Sequence, residues 1–233
     1  LLTMPSRYAR FHPETIGFLE QLVANNNRDW FGEHKSRYEE DVLDVALRLI
    51  QSMQDPLAAI APHFVALPTR VGGSLMRVYR DTRFSKDKTP YKTNIGIQFR
   101  HEAAKDVHAP GYYLHIAPQQ VFVGIGMWRP DSEPLRRIRE RIAAKPAEWR
   151  RAIGGRTFAR QFALGGESLL RPPRGFQKDH ECIDDIRRKS FIAVRELTVS
   201  DCLKPQFQRK VESSFKTGEP FMRFLCKAVG VRF

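Results

Sequence analysis

Between residues 94 and 127 the apolar residues fall on every second position in three successive segments: Ile95, Ile97 and Phe99, then Leu114 and Ile116, then Val121, Val123 and Ile125. A period of two puts each set on one face of an extended chain. Residues 94–100, 111–117 and 120–127 therefore read as strands, and residues 74–80 as a fourth before them. Their connections are short, which makes consecutive strands antiparallel neighbours. The shared apolar face must then be covered by helices.

Helical patterns flank this block on both sides. His12-Pro13-Glu14 opens a first helix, with Ile16, Leu19, Leu22 and Val23 at helical spacing. Asn25-Asn26-Asn27 is a turn, with Asn27 as the cap of a second helix. That helix carries one stripe of Phe31, His34, Tyr38, Val42, Val45 and Leu49, which reads, together with Trp30, as core packing and not as a ligand box. Downstream, Asp131-Ser132-Glu133-Pro134 starts a helix whose buried stripe is Leu135, Ile138 and Ile142, and a further start follows at Pro146. Residues 191–197 read as one more strand. The tail from 201 to 228 reads as one or two helices broken near Gly218 and Pro220. No repeat or linker divides the chain, so the expectation is one α+β domain over residues 1–233, a central antiparallel sheet packed with N-terminal and C-terminal helices.

Composition narrows the class further. The 42% hydrophobic and 28% charged content is that of a globular protein. The net charge of +13 comes mostly from arginine, which suits phosphate and carboxylate partners. The same charge also fits a solvated basic surface. Cys182, Cys202 and Cys226 are few, odd in number and form no CxxC, which points to a reducing compartment and away from a disulfide framework or a cysteine zinc site. Leu1-Leu2-Thr3-Met4 is too short for a signal core, Pro5-Ser6-Arg7 interrupts it, and Met4 is a candidate start. The longest apolar runs, such as residues 121–128, are far too short to span a bilayer. The expected location is cytoplasmic, with no membrane partner.

The densest signal lies at residues 77–92. It contains Arg77, Arg80, Asp81, Arg83, Phe84, Asp87, Lys88 and Tyr91 in the order RxxRDxRF, then DK and Tyr. With Asn26-Asn27-Arg28-Asp29-Trp30-Phe31, Gly124-Ile125-Gly126, Pro172-Pro173-Arg174-Gly175-Phe176 and Asp179-His180, it resembles the uncharacterised bacterial family DUF2461. The sequence departs from that pattern at Glu181, where a proline is expected after the histidine. The resemblance spans almost the whole chain and implies a shared fold and a shared site, without a reaction.

The residues themselves point to an anion. The loop carries Arg80, Arg83, Lys86, Lys88 and Lys92 against only Asp81 and Asp87. Like charges so close repel unless something negative sits among them. An R-D-x-R sequence pairs readily within itself, so Asp81 and Asp87 suit a structural ion-pair network. Two acids cannot neutralise five bases, and the surplus favours an anion site. No P-loop order is present. On the sheet face opposite the apolar one stand Asn94, Gly96, Gln98, Tyr113, His115, Ala117, Phe122, Gly124 and Gly126, with Arg77 and Tyr79 expected to join them. Glycine within a strand often marks close approach by a ligand or another backbone. The face is either the floor of a site or the seat of a tightly packed helix.

Other chemistries find little support. His101, His108 and His115, with Glu102 and Asp106, lack metal-ligand spacing, so neither a metal nor a cofactor is expected. Ser85 has no nucleophile context. The arginines at 136, 137, 139 and 141 read as a solvated face that could extend a nucleic-acid surface. The sequence thus supports binding of a small phosphorylated or carboxylated ligand. Arg77, Arg80, Arg83 and Lys88 are the charge partners, Asp81 and Asp87 orient them, and Tyr91, Tyr113 and His115 form the wall. In an enzyme built on this site, His115 or Tyr91 would be the general acid or base. Two alternatives stand beside this reading: a non-specific nucleic-acid binder, and a scaffold in which the motif is an ion-pair network.

Overall fold

In this computed structural model the described residues are 10–103 and 109–233. The alternating segments form strands β2 (Ile95–His101), β3 (Gly111–Ile116) and β4 (Val121–Met127), and the last predicted strand is β6 (Phe191–Leu197). Two short strands complete the sheet, β1 (Phe64–Val65) and β5 (Ala163–Gly165). The order is β1-β2-β3-β4-β6-β5, with every pair antiparallel. The fold is α+β, and the eight apolar residues read from the alternation are all at most 3% exposed.

The expected strand at residues 74–80 is a correction. Its first half lies along β2, where Leu75 bridges Ile97 and the Met76 amide donates to the Gly96 carbonyl at 2.9 Å. Its second half leaves the sheet and pairs with its own return, where Tyr79 bridges Tyr91. The Arg80 amide donates to the Pro90 carbonyl at 2.9 Å, and the Lys92 amide to the Val78 carbonyl at 2.7 Å. The segment therefore serves two partners in turn and makes no continuous ladder. Residues 77–92 form a hairpin projecting from the edge of the sheet.

The N-terminal helices are α1 (Pro13–Ala24), α2 (Arg28–Glu33), α3 (Lys35–Arg37), α4 (Asp44–Ser52) and α5 (Gln54–Ile60), with a π-helical stretch at Tyr38–Leu43 before α4. Asn27 caps α2 as its sequence predicts, its side chain accepting from the Trp30 amide at 2.9 Å. The single long stripe is interrupted. The helix breaks at His34, and the π-helical stretch resets the face that points inward. Phe31, Val42, Val45 and Leu49 stay buried, while His34 and Tyr38 lie half-buried. Val23 falls off the buried face of α1 and is exposed.

The later helices are α6 (Ser132–Ala144), α7 (Pro146–Gly154), α8 (Arg156–Gln161), α9 (Ile183–Ile186), α10 (Val199–Cys202), α11 (Phe207–Thr217) and α12 (Glu219–Val229). Helices α11 and α12 cover the apolar sheet face, with Phe215 against Phe99 at 5.6 Å and Tyr112 at 4.5 Å between ring centroids. Trp149 on α7 fills the corner between Phe191, Phe221 and Phe224, and its indole donates to Asp185 at 2.7 Å. The opposite sheet face stays partly open at Gln98, Tyr113 and Phe122, which are half-buried. Among the described residues no helix is long and apolar enough to cross a membrane.

Candidate functional site

The hairpin is built by hydrogen bonds that its sequence supplies to itself. Asp87 accepts at one oxygen from the Thr89 amide at 2.9 Å and the Thr89 hydroxyl at 2.8 Å, an Asx-type turn that sets the return strand. Its other oxygen pairs with the Arg80 guanidinium, which also donates to the Thr89 hydroxyl at 2.7 Å. Asp81 holds Arg83 through both carboxylate oxygens, at 3.0 and 2.7 Å, and accepts from the Arg83 amide at 3.2 Å. These bonds hold both carboxyls down to about 2, Asp81 chiefly through Arg83 and Asp87 chiefly through Thr89. The two acids are thus spent inside the motif.

The cations are not. The Lys88 ammonium donates to the Thr82 carbonyl at 2.8 Å, which uses one of its three protons. Among the described residues Arg77, Lys86 and Lys92 form no close ion pair, and Arg77 acts on Asp81 only through its charge at a distance. Lys92 is pulled below the ordinary lysine range by burial and by the neighbouring Arg77.

What the sequence does not reveal is the piece that completes this surface. The α1–α2 turn docks on the hairpin, where the Asn26 side chain donates to the Tyr91 carbonyl at 2.9 Å and accepts from the Tyr91 amide at 3.1 Å. Tyr91 is buried there, stacked on Phe31 at 4.0 Å and 17°. Burial pushes its hydroxyl up from the usual tyrosine range. The docking encloses an open concavity of about 780 Å³ lined by Asn26, Asn27, Arg28, Tyr79, Arg80, Thr82, Lys88, Thr89, Pro90 and Tyr91. Three cations line it and no carboxylate does. Arg28 has no acidic partner among the described residues. It belongs to one of the stretches that carry the family resemblance, which was the available signal.

Tyr113 and His115 lie elsewhere, on the partly open sheet face. The Tyr113 hydroxyl and His115 Nδ1 are 3.1 Å apart, and His115 stacks on Phe122 at 4.7 Å. Burial lowers the His115 pKa and raises Tyr113 to about 12, so both are neutral at pH 7. Tyr113 lines a second cavity of about 520 Å³ with Met76, Phe122 and Trp128. Arg77 and Tyr79 do not join this face, because the chain has already turned into the hairpin. Met76 takes that place, its sulfur 3.0 Å from where a Gly96 Cβ would stand. Gly96 is therefore roofed by Met76 and the Tyr113 ring, which is neither a ligand floor nor a helix seat. Gly126 answers to the backbone, with φ +119° and a Cβ position only 2.0 Å from the Phe191 carbonyl oxygen. Gly124 and Gly126 both line that second cavity, and a Cβ on Gly124 would meet the Tyr113 and Phe122 side chains at ordinary contact distance, 3.7 to 3.8 Å.

The α6 arginines are engaged within the protein. Arg136 and Arg137 pair with Glu133, Arg141 holds Glu148 at 2.6 Å, and Arg139 donates to the Arg188 carbonyl at 2.9 Å. Among the described residues no three His, Cys, Asp or Glu side chains gather to hold a metal ion. Asp106 and His108 lie outside the described residues, as do Met4 and residues 5–7.

Residues 14–224 match the family described as a conserved hypothetical protein, DUF2461. The chain belongs to this family. A comparison with curated proteins gives no match. The RxxRDxRF segment and the Asn26-Asn27-Arg28 turn, both within the DUF2461 match, meet in the same concavity.

Proposed function

We propose that this DUF2461 member binds a small anion, phosphorylated or carboxylated, between the hairpin and the α1–α2 turn. The observation that carries the reading is the lining of the concavity: Arg28, Arg80 and Lys88 with no acid among them. Free donors remain on each cation. Arg80 uses only Nη1 toward Asp87 and Thr89, and Lys88 keeps two protons. The hydroxyls of Thr82 and Thr89 add neutral partners. Arg83 and Asp81 stand outside this lining and serve the hairpin, so the motif divides into a structural clasp and a binding surface. The engaged α6 arginines favour a compact ligand over a long nucleic-acid track along that helix.

Thermal melts test the reading. Wild type should gain melting temperature with millimolar phosphate over chloride at matched ionic strength, because a ligand of the native state adds RT ln(1 + [L]/Kd). Arg28→Gln and Lys88→Met should gain less. An equal gain in wild type and both variants would count against the concavity as the site.

A further inference from the structure

The concavity holds more than charge. Tyr79 lines it beside Arg28, Arg80 and Lys88, and the residue is 57% exposed. An exposed ring on a flexible loop would mean little, but this one is fixed from behind. It leans on Tyr91 at 5.5 Å and 45°, Tyr91 stacks on Phe31 at 4.0 Å, and Phe31 meets the fully buried Phe18 at 6.4 Å. The row of rings runs from the core outward and ends at Tyr79. Backbone bonds on either side of Tyr79, from Arg80 to Pro90 and from Lys92 to Val78, hold its segment in place. A planar group adding to this row finds a platform that is already ordered, so little entropy is lost on binding.

A phosphate site beside a fixed aromatic platform matches one ligand chemistry. We infer that the anion taken by this site is a phosphate joined to a nucleobase, with the base stacked on Tyr79 and the phosphate on Arg28, Arg80 and Lys88. The inference rests on the anion reading above and deepens it. No carboxylate lines the concavity, and the Asn26 oxygen is committed to the Tyr91 amide and the Asn27 oxygen to the α2 cap, so neither amide can read a base edge with donor and acceptor together. Stacking without edge contacts tolerates any base. The same chemistry comes from a free nucleotide or from one unit of a single strand. A strand would find a second ring at the hairpin tip, where Phe84 is 95% exposed with the Arg83 guanidinium 5.8 Å from its centroid.

Calorimetric titration with inorganic phosphate, ribose 5-phosphate, AMP and a ten-residue oligothymidylate separates the ideas. AMP should bind roughly tenfold to a hundredfold tighter than ribose 5-phosphate, the range of one base–aromatic stack. Tyr79→Ala should abolish that advantage while inorganic phosphate binds as before, and Tyr79→Phe, which keeps the ring, should retain it. AMP no tighter than ribose 5-phosphate, or an advantage that survives in Tyr79→Ala, overturns the inference and leaves the anion reading standing. Silence from inorganic phosphate and AMP alike overturns both. Given the AMP advantage, an oligothymidylate that binds tighter than AMP and loses affinity in Phe84→Ala assigns the ligand to single strands. One no tighter than AMP assigns it to free nucleotides, and both results support the inference.

Discussion

Replacing Asn26 by alanine should cost this protein more than replacing any charged residue of the hairpin. The Asn26 amide is the reciprocal partner of the Tyr91 backbone across 65 positions, at 2.9 and 3.1 Å. Tyr91 is 5% exposed and its ring is packed on Phe31, so water replaces those bonds poorly. Each buried backbone group left without a partner costs about 1–3 kcal/mol. Two such groups, with partial relief at the open rim, give a loss of about 2–4 kcal/mol. At about 2–4 °C per kcal/mol for a chain of this size, the melting temperature should fall by roughly 4–16 °C. Urea unfolding followed by circular dichroism measures the loss directly, with the slope m showing that the transition stays two-state. A change below about 0.5 kcal/mol, the ordinary scatter of surface substitutions, would refute the argument that this turn anchors the hairpin.

By contrast, Arg83→Gln should shift stability by less than about 1 kcal/mol, since its pair with Asp81 is solvent-exposed; a much larger loss in a melt would show the pair to be a buried clasp. Because both hairpin carboxyls titrate near 2, below the ordinary 3.8, their stabilising bonds are whole above 3.8 and are lost as pH falls through 2; the Thr89 amide resonance should follow Asp87 with that low midpoint, and one near 4 would contradict the bond. Cys182, Cys202 and Cys226 are buried, and burial raises their thiols, the last two to about 11 and 12, so thiol reagents should label them only in denaturant; rapid labelling of the native protein would contradict the packing. Gly126→Ala should destabilise by more than about 2 kcal/mol, through backbone strain and a clash with the Phe191 carbonyl; a melt unchanged from wild type would contradict that close approach of β6 to β4.

The central sheet was legible because its alternation is unbroken and one face is fully buried. The edges were not. Strand β1 has two residues and β5 three, too few to display any period. Residues 74–80 carry strand chemistry yet divide their pairing between β2 and the hairpin return, a choice made by tertiary structure. The break at His34 and the π-helical stretch at Tyr38–Leu43 left the stripe looking continuous in sequence while His34 and Tyr38 came to lie only half-buried. Within the motif, the internal pairing of Asp81 with Arg83 followed from their spacing. Arg28 and Asn26 stayed hidden as site residues because only the folded chain brings them against residues 79–91. Tyr113 and His115 share a face with each other but not with the hairpin, since the sheet edge separates the two concavities.

The proposed site places a phosphate-sized anion between Arg28, Arg80 and Lys88. Amide resonances followed during a phosphate titration at constant ionic strength test this most directly. The prediction is one saturable site per chain, with shifts concentrated at residues 26–28, 79–82 and 88–91. Shifts that never saturate, or that centre on another basic surface such as Arg150, Arg151 and Arg223, would contradict it.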